Sequence, residues 1–202
     1  MHIFRRSRAE SDGRLVVAGL GNPGERYAGT RHNAGAMVID ELLRRTGSKL
    51  KSHRSSCLIA EVVLAQRKVT LARTTSYMNE SGRPLGQLMR FYKVEPSDLV
   101  VVHDEIDLPF GRVRLKFGGG TAGHNGLRSV VSHLGTKDFV RVRLGVGRPR
   151  GNKEAVGHVL DGFSAAERKE LPFLIAEGAD AVERIAEVEI ERAMNEINTR
   201  AD

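Results

Sequence analysis

The sequence predicts an α/β domain built on a mixed β-sheet, and three patterns carry that expectation. Short β-branched apolar runs at 15–18 and 99–102 have the length and composition of strands buried on both faces. Between them apolar residues recur at helical spacing, as in Ala34, Val38 and Leu42 with Ile39 and Leu43 alongside. Other strand candidates follow one another at hairpin-like spacing, so part of the sheet must be antiparallel.

Along the chain, residues 1–13 are polar, Arg-rich and without periodicity, and are expected to form a flexible basic extension ahead of a domain spanning 14–202. A mitochondrial transit peptide is Arg-rich too, but this segment is short and carries Glu10 and Asp12. After the strand at 15–18, a helix is expected at 34–45 and two strands at about 58–64 and 68–72. A helix around 84–92 opens with Pro84, which is tolerated only near its first turn. Residues 112–117 alternate strictly, with Arg112, Arg114 and Lys116 on one face and Val113, Leu115 and Phe117 on the other. The pattern returns at 140–144, where Arg141 and Arg143 stand between apolar residues, and a short helix at 127–134 separates the two strands. Ser164-Ala165-Ala166-Glu167 matches a capping box and opens a mostly helical tail, with a break expected at Pro172.

Composition excludes several classes. A length of 202 residues with 40% hydrophobic content suits one core. No apolar stretch approaches the roughly 20 residues of a membrane helix, and no signal-peptide core is present, so no membrane association is expected. Cys57 stands alone, which excludes an internal disulfide and a Cys-based zinc cluster and fits a reducing, cytoplasmic setting. Nothing demands a dimer. The net charge of +7 is unevenly spread: 112–153 holds ten Lys or Arg against one acidic residue, and 154–202 holds twelve acidic residues against five basic. A basic middle followed by an acidic tail points to a polyanionic partner on one surface, most simply nucleic acid.

The residues with chemistry lie in separate polar clusters, each just past an apolar run. Asn22 sits in Gly19-Leu20-Gly21-Asn22-Pro23-Gly24 and His32 in Thr30-Arg31-His32-Asn33-Ala34-Gly35. Asn79 follows Ser76-Tyr77-Met78, Asp104 lies in His103-Asp104-Glu105, and Asn125 in Gly123-His124-Asn125-Gly126. In an α/β fold such loops converge beyond the strand ends, where ligands bind. One His, one Asp and three Asn suit water activation and amide recognition better than a covalent nucleophile.

Gly19, Gly21 and Gly24 also satisfy the dinucleotide fingerprint G-x-G-x-x-G. That motif needs a helix starting within it to hold the pyrophosphate, yet 25–30 has no apolar face, and Asp40 and Glu41 fall inside a predicted helix. No dinucleotide is therefore expected, and the glycines are read as letting the backbone turn sharply and present Asn22. A serine-hydrolase elbow and a P-loop are absent, and no metal or other cofactor is expected. Asp104 is a candidate orienting partner for His32, because a carboxylate on one imidazole nitrogen leaves the other free as a base.

Six ordered motifs carry a family resemblance. They are Gly-Leu-Gly-Asn-Pro-Gly at 19–24, Thr-Arg-His-Asn-Ala-Gly at 30–35, Met-Asn-x-Ser-Gly at 78–82, His-Asp-Glu-x-Asp-Leu-Pro at 103–109, Gly-His-Asn-Gly at 123–126 and Val-Leu-x-x-Phe at 159–163. From about 15 to 195 the chain resembles the bacterial peptidyl-tRNA hydrolases. The resemblance implies a twisted mixed sheet surrounded by helices and hydrolysis of the ester between peptide and tRNA, with no cofactor. It further implies that His32 is the general base, that Asp104 orients it, and that Asn79 holds the substrate near the ester. Asn22 and Asn125, with Tyr27 and Tyr77, would bind the peptide and the tRNA end. Arg114, Lys116 and Arg143 would form a phosphate clamp, with Arg at 114 where the family often has Lys. The glycines at 118–120 would let backbone amides approach an anion, and 149–160 is expected to act as a lid. A non-hydrolytic RNA-binding role, as in similar chloroplast splicing cofactors, and a nucleotide-dependent activity read from the glycine loop are the rival readings.

Overall fold

A computed structural model describes residues 13–149 and 154–199. Seven strands form one sheet in the order β2-β3-β4-β1-β5-β7-β6: β1 (Leu15–Gly19), β2 (Lys51–His53), β3 (Cys57–Leu64), β4 (Arg67–Thr74), β5 (Leu99–Glu105), β6 (Val113–Phe117) and β7 (Val140–Gly145). The central β4, β1, β5 and β7 run parallel, while β3 against β4, β2 against β3 and β6 against β7 are antiparallel. The sheet is therefore mixed: β2, β3 and β4 form the closely spaced antiparallel part, and β6 adds a second antiparallel pairing with β7 across the connection that carries α4.

The helices are α1 (Glu25–Ala28), α2 (Ala34–Thr46), α3 (Gly82–Tyr92), α4 (Asn125–Leu134), α5 (Ala155–Val159), α6 (Ala165–Glu187) and α7 (Ile190–Thr199). Alternation along the buried strands divides the core. Val17, Val100, Val102, Val142 and Leu144 pack with Val38, Leu42, Ala179 and Val182 of α2 and α6. Val16, Ala18, Val101 and Phe139 face the other way, onto Leu85, Leu88, Leu127 and Val130 of α3 and α4. Truncating one such fully buried leucine would cost about 2–5 kcal/mol.

Because α2 follows β1 onto one face and α3 follows β4 onto the other, the chain diverges at the carboxyl ends of these neighbouring strands, opening a crevice there. The close fit of β1 against α2 explains two motif glycines. A Cβ on Gly19 would lie 2.3 Å from the carbonyl oxygen of Gly35, and one on Gly35 would lie 2.1 Å from that of Val102. Gly19 is thus required for close packing rather than for a turn; the turning residue is Gly24, at φ +95°.

Two expectations are corrected. Pro172 does not break the tail: α6 runs unbroken through it, opened by a complete Ser164–Glu167 capping box. Its first turns bury no side chain, so water reaches the freed carbonyl, and the packing of Leu174, Ile175, Ala179 and Val182 offsets the roughly 3 kcal/mol that a helical proline costs. His103-Asp104-Glu105 is not a loop either. Pairing with β7 extends β5 through Glu105, placing Asp104 within a strand. The extension at 1–13 lies outside the described residues except for Gly13, as do residues 150–153 of the expected lid.

Candidate active site

Asp104 is the centre of the crevice. It is only 2% exposed and receives an imidazole from each layer of the fold. His32, in the 3-10 turn Arg31–Asn33 ahead of α2, places Nδ1 at 2.9 Å and 3.0 Å from the two carboxylate oxygens. From the opposite layer His124, the N-cap of α4, places Nε2 at 3.0 Å from Oδ1. The Nδ1 of His124 accepts the Leu127 N–H, so its proton resides on Nε2 and is donated to Asp104. His103 bonds through Nδ1 to the backbone carbonyl of Asp104 at 2.7 Å.

These contacts set the charges. Burial alone would favour a neutral Asp104, but the two imidazoles outweigh it and hold the carboxyl well below the usual carboxylate range. Burial, reinforced by the neighbouring His124, pushes His103 down to about 3. With Nδ1 of His32 committed to Asp104, Nε2 is the ring nitrogen left to act as a base.

His32, Asp104 and His124 are the described trio whose donor atoms cluster as metal ligands would, within 4.8 Å of one another. That spread exceeds the roughly 4.2 Å that two zinc ligands at about 2.1 Å can span, and the nitrogens are directed at the carboxylate. The trio therefore does not fit a zinc ion in this arrangement.

The three asparagines occupy different settings. Asn22 is buried and its Oδ1 accepts the Met78 N–H at 2.8 Å, while its backbone N–H and carbonyl pair with the Asn33 side chain at 2.9 Å each. The side chain of Asn22 thus links the loops after β1 and β4, leaving its amide nitrogen as the end available to a ligand. Asn79 is exposed on the 3-10 turn Met78–Glu80. Asn125 is also exposed and accepts from Arg128, in the residue after His124. Tyr27 and Tyr77 meet edge to face, ring centroids 6.3 Å apart, with Tyr77 55% exposed.

The basic strands converge on one surface. Across the β6–β7 pair Arg114 faces Arg143 and Lys116 faces Arg141, so all four side chains leave the same side of the sheet. His103 of β5 is in register with Arg143 on that side. The basic edge therefore begins one strand, about 5 Å, from the strand carrying Asp104. Arg143 is also tied to Glu105 at 3.1 Å.

Several residues were missed by sequence reasoning. His124 lies inside a recognised motif, three residues before the helix expected at Leu127 and directly before the observed start of α4. Asn33 likewise follows His32 in a quoted motif. Arg31 is buried and reaches across the fold, its Nη1 donating to the Gly162 carbonyl at 2.8 Å and its Nη2 to Glu167 at 2.7 Å. It fastens the segment following α5 to the turn carrying His32. No local pattern predicts a partner so distant in sequence.

Known proteins resemble this chain along nearly its whole length. The family model for peptidyl-tRNA hydrolase matches residues 16–202. The peptidyl-tRNA hydrolase of Mycobacterium marinum is 57% identical over 187 residues, covering 91% of this chain and 97% of that protein. That of Frankia alni is 55% identical over 184 residues, covering 91% and 93%. The crystal structure of peptidyl-tRNA hydrolase from Acinetobacter baumannii superposes with a TM-score of 0.86 at 34% identity, covering 94% of this chain and 97% of that one. With those matches spanning nearly the whole domain, this chain belongs to the peptidyl-tRNA hydrolase family.

Proposed function

We propose that this enzyme hydrolyses the ester between the peptide and the terminal ribose of peptidyl-tRNA by direct attack of water, with His32 as general base. The observation that carries the reading is the His32 imidazole held by both oxygens of a buried, ionised Asp104 at the centre of the crevice. A water on Nε2 would lose its proton to His32 as its oxygen attacks the ester carbonyl. Asp104 offsets the charge of the imidazolium, and His124 keeps the carboxylate in place through its second bond. When the tetrahedral intermediate collapses, the imidazolium returns the proton to the departing ribose oxygen. A positioned base of this kind supplies about 10²–10⁴-fold in rate.

Asn79 and Asn22 act as neutral amides around the scissile bond, Asn22 through its nitrogen. Asn125, Tyr27 and Tyr77 line the approach for the peptide and the tRNA end. Neutral amides suit a site next to an anionic strand, since carboxylates there would repel phosphates. Arg114, Lys116 and Arg143 form the phosphate clamp. Like charges opposed across two strands are destabilising unless a polyanion joins them, which favours an RNA-facing role for that edge. The enzyme acts as a monomer in the cytoplasm, where ribosomes supply its substrate; sedimentation at micromolar concentration checks the first point.

The test is cleavage of N-acetyl-aminoacyl-tRNA by wild type and His32→Ala, with and without chelator, and with rapid-quench mass spectrometry of the protein. Chelator-insensitive cleavage that is lost in the variant, with no acylated protein, is the expected result. An acyl-protein adduct would overturn the direct-water mechanism, and tRNA binding without cleavage by wild type would turn the reading to a non-catalytic RNA-binding relative.

A further inference from the structure

Arg141 is a buried cation that the mechanism above does not use. It is 2% exposed on β7, and its guanidinium lies 4.9 Å from the centre of the Phe139 ring. It spends its two terminal nitrogens on backbone: Nη2 donates to the Gly119 carbonyl at 2.8 Å and Nη1 to the Gly120 carbonyl at 2.5 Å. Its Nε is buried without a hydrogen-bond partner. A buried charge is costly unless hydrogen bonds satisfy it, and the bonds that Arg141 makes hold the glycine turn between β6 and α4.

The direction of those bonds matters. In a trans peptide the N–H points opposite to the preceding C=O. Two successive carbonyls drawn inward to Arg141 therefore turn the N–H groups of Gly120 and Thr121 outward. Gly119 and Gly120 are exposed, and Gly119 holds φ +90°, where any side chain would be strained. The Lys116 side chain lies across Gly119: a methyl group there would sit 2.6 Å from its Cε and 2.9 Å from its Nζ. Outward amides, an adjacent ammonium and a guanidinium beneath together favour an anion.

We propose that the 119–121 turn is a backbone nest for a phosphate group of the RNA, with Lys116 over it and Arg141 as the positioning residue that sets its shape. The ligand class is a phosphate mono- or diester; the inference rests on the reading of the substrate as tRNA-borne. Arg141 touches no substrate and acts through the carbonyls it holds.

The experiment titrates inorganic phosphate into ¹⁵N-labelled enzyme and follows the amides of Gly120 and Thr121, alongside steady-state hydrolysis of N-acetyl-aminoacyl-tRNA. Saturable shifts at both amides are expected in wild type. Arg141→Met, which fills the volume without the bonds, should weaken phosphate at least tenfold and raise KM severalfold at unchanged kcat. Arg141→Lys, keeping charge and one bond, should recover part of both. Gly119→Ala disturbs the turn from outside the core and should reproduce the Arg141→Met result even if that variant folds poorly. Unmoved amides in wild type, or wild-type phosphate affinity and KM in Arg141→Met or Gly119→Ala, would overturn the proposal. The phosphate titration needs no peptidyl-tRNA, so its failure counts against the nest alone, whereas an inactive wild type counts against the proposed function.

Discussion

The Asp104 centre and the β6–β7 edge both concentrate charge, but by opposite means. At the centre a single carboxylate is almost wholly buried and is satisfied by His32 and His124 at about hydrogen-bond distance from both layers of the fold. At the edge Arg114, Lys116, Arg141 and Arg143 place like charges on one side of the sheet, with Glu105 tied to Arg143. A buried charge with fixed partners is stiff and keeps a proton where the chemistry needs it. A row of cations is held together best by a ligand of the opposite sign, as suits binding a strand of phosphates.

That contrast is broken most severely at the centre. Asp104→Asn turns an acceptor into a donor facing Nδ1 of His32, which would drive the imidazole proton to Nε2 and block the base. The expected loss in kcat is about 10⁴-fold, with tRNA affinity retained, as read by single-turnover hydrolysis and filter binding. His32→Ala should cost about 10²–10⁴-fold in kcat with little change in KM. His124→Ala keeps the base and removes one of two bonds to the carboxylate, so roughly a 10-fold loss in kcat is expected from a charged hydrogen bond of about 1.5 kcal/mol. A His124→Ala enzyme as impaired as Asp104→Asn would show that His124 is more than a support.

The edge should respond in another quantity. Lys116→Ala is expected to raise KM severalfold at constant kcat and to reduce the slope of log(kcat/KM) against log[salt] by about 0.9, one phosphate contact. Arg44→Ala, which removes an exposed cation paired with Glu41 on α2, should leave that slope unchanged. An unchanged slope in Lys116→Ala would remove Lys116 from the clamp.

Of these two regions, acid should act on the centre. His103 titrates near 3 in the folded protein and near 6.5 when unfolded, so between those values the unfolded chain binds more protons. Its contribution to stability is complete above about pH 6.5 and is lost as the pH falls toward 3. Asp104, lowered in the folded state, adds a second loss below about pH 4. Urea midpoints at pH 7, 5.5 and 4.5 should therefore fall, and His103→Leu should flatten the part above pH 4.5.

Much of the fold was legible because its elements are locally consistent. A continuous apolar run located β1, and periodicity located α2 and β7, each to within a residue or so. Pro172 misled because helix propensity is local, whereas the docking of Leu174 through Ile185 is tertiary. β2, a three-residue edge strand with no buried residue, carries no periodic signal. Within the site, the motifs brought His32, Asp104 and Asn22 into view, and the family resemblance supplied their expected roles. The further hold on Asp104 by His124 crosses 20 residues, and the reach of Arg31 to Glu167 crosses 136, beyond any local pattern.

The sequence by itself determined the alternation that puts Arg114, Lys116, Arg141 and Arg143 on one side of their strands, and the motifs that carry the family. Only the tertiary structure decided that β5 continues through Asp104, that Arg141 turns inward to the glycine loop while Lys116 stays outside, and that two imidazoles meet one carboxylate. Side-chain periodicity is a property of a single strand, whereas the partner of a buried charge is fixed by which strands and helices pack around it.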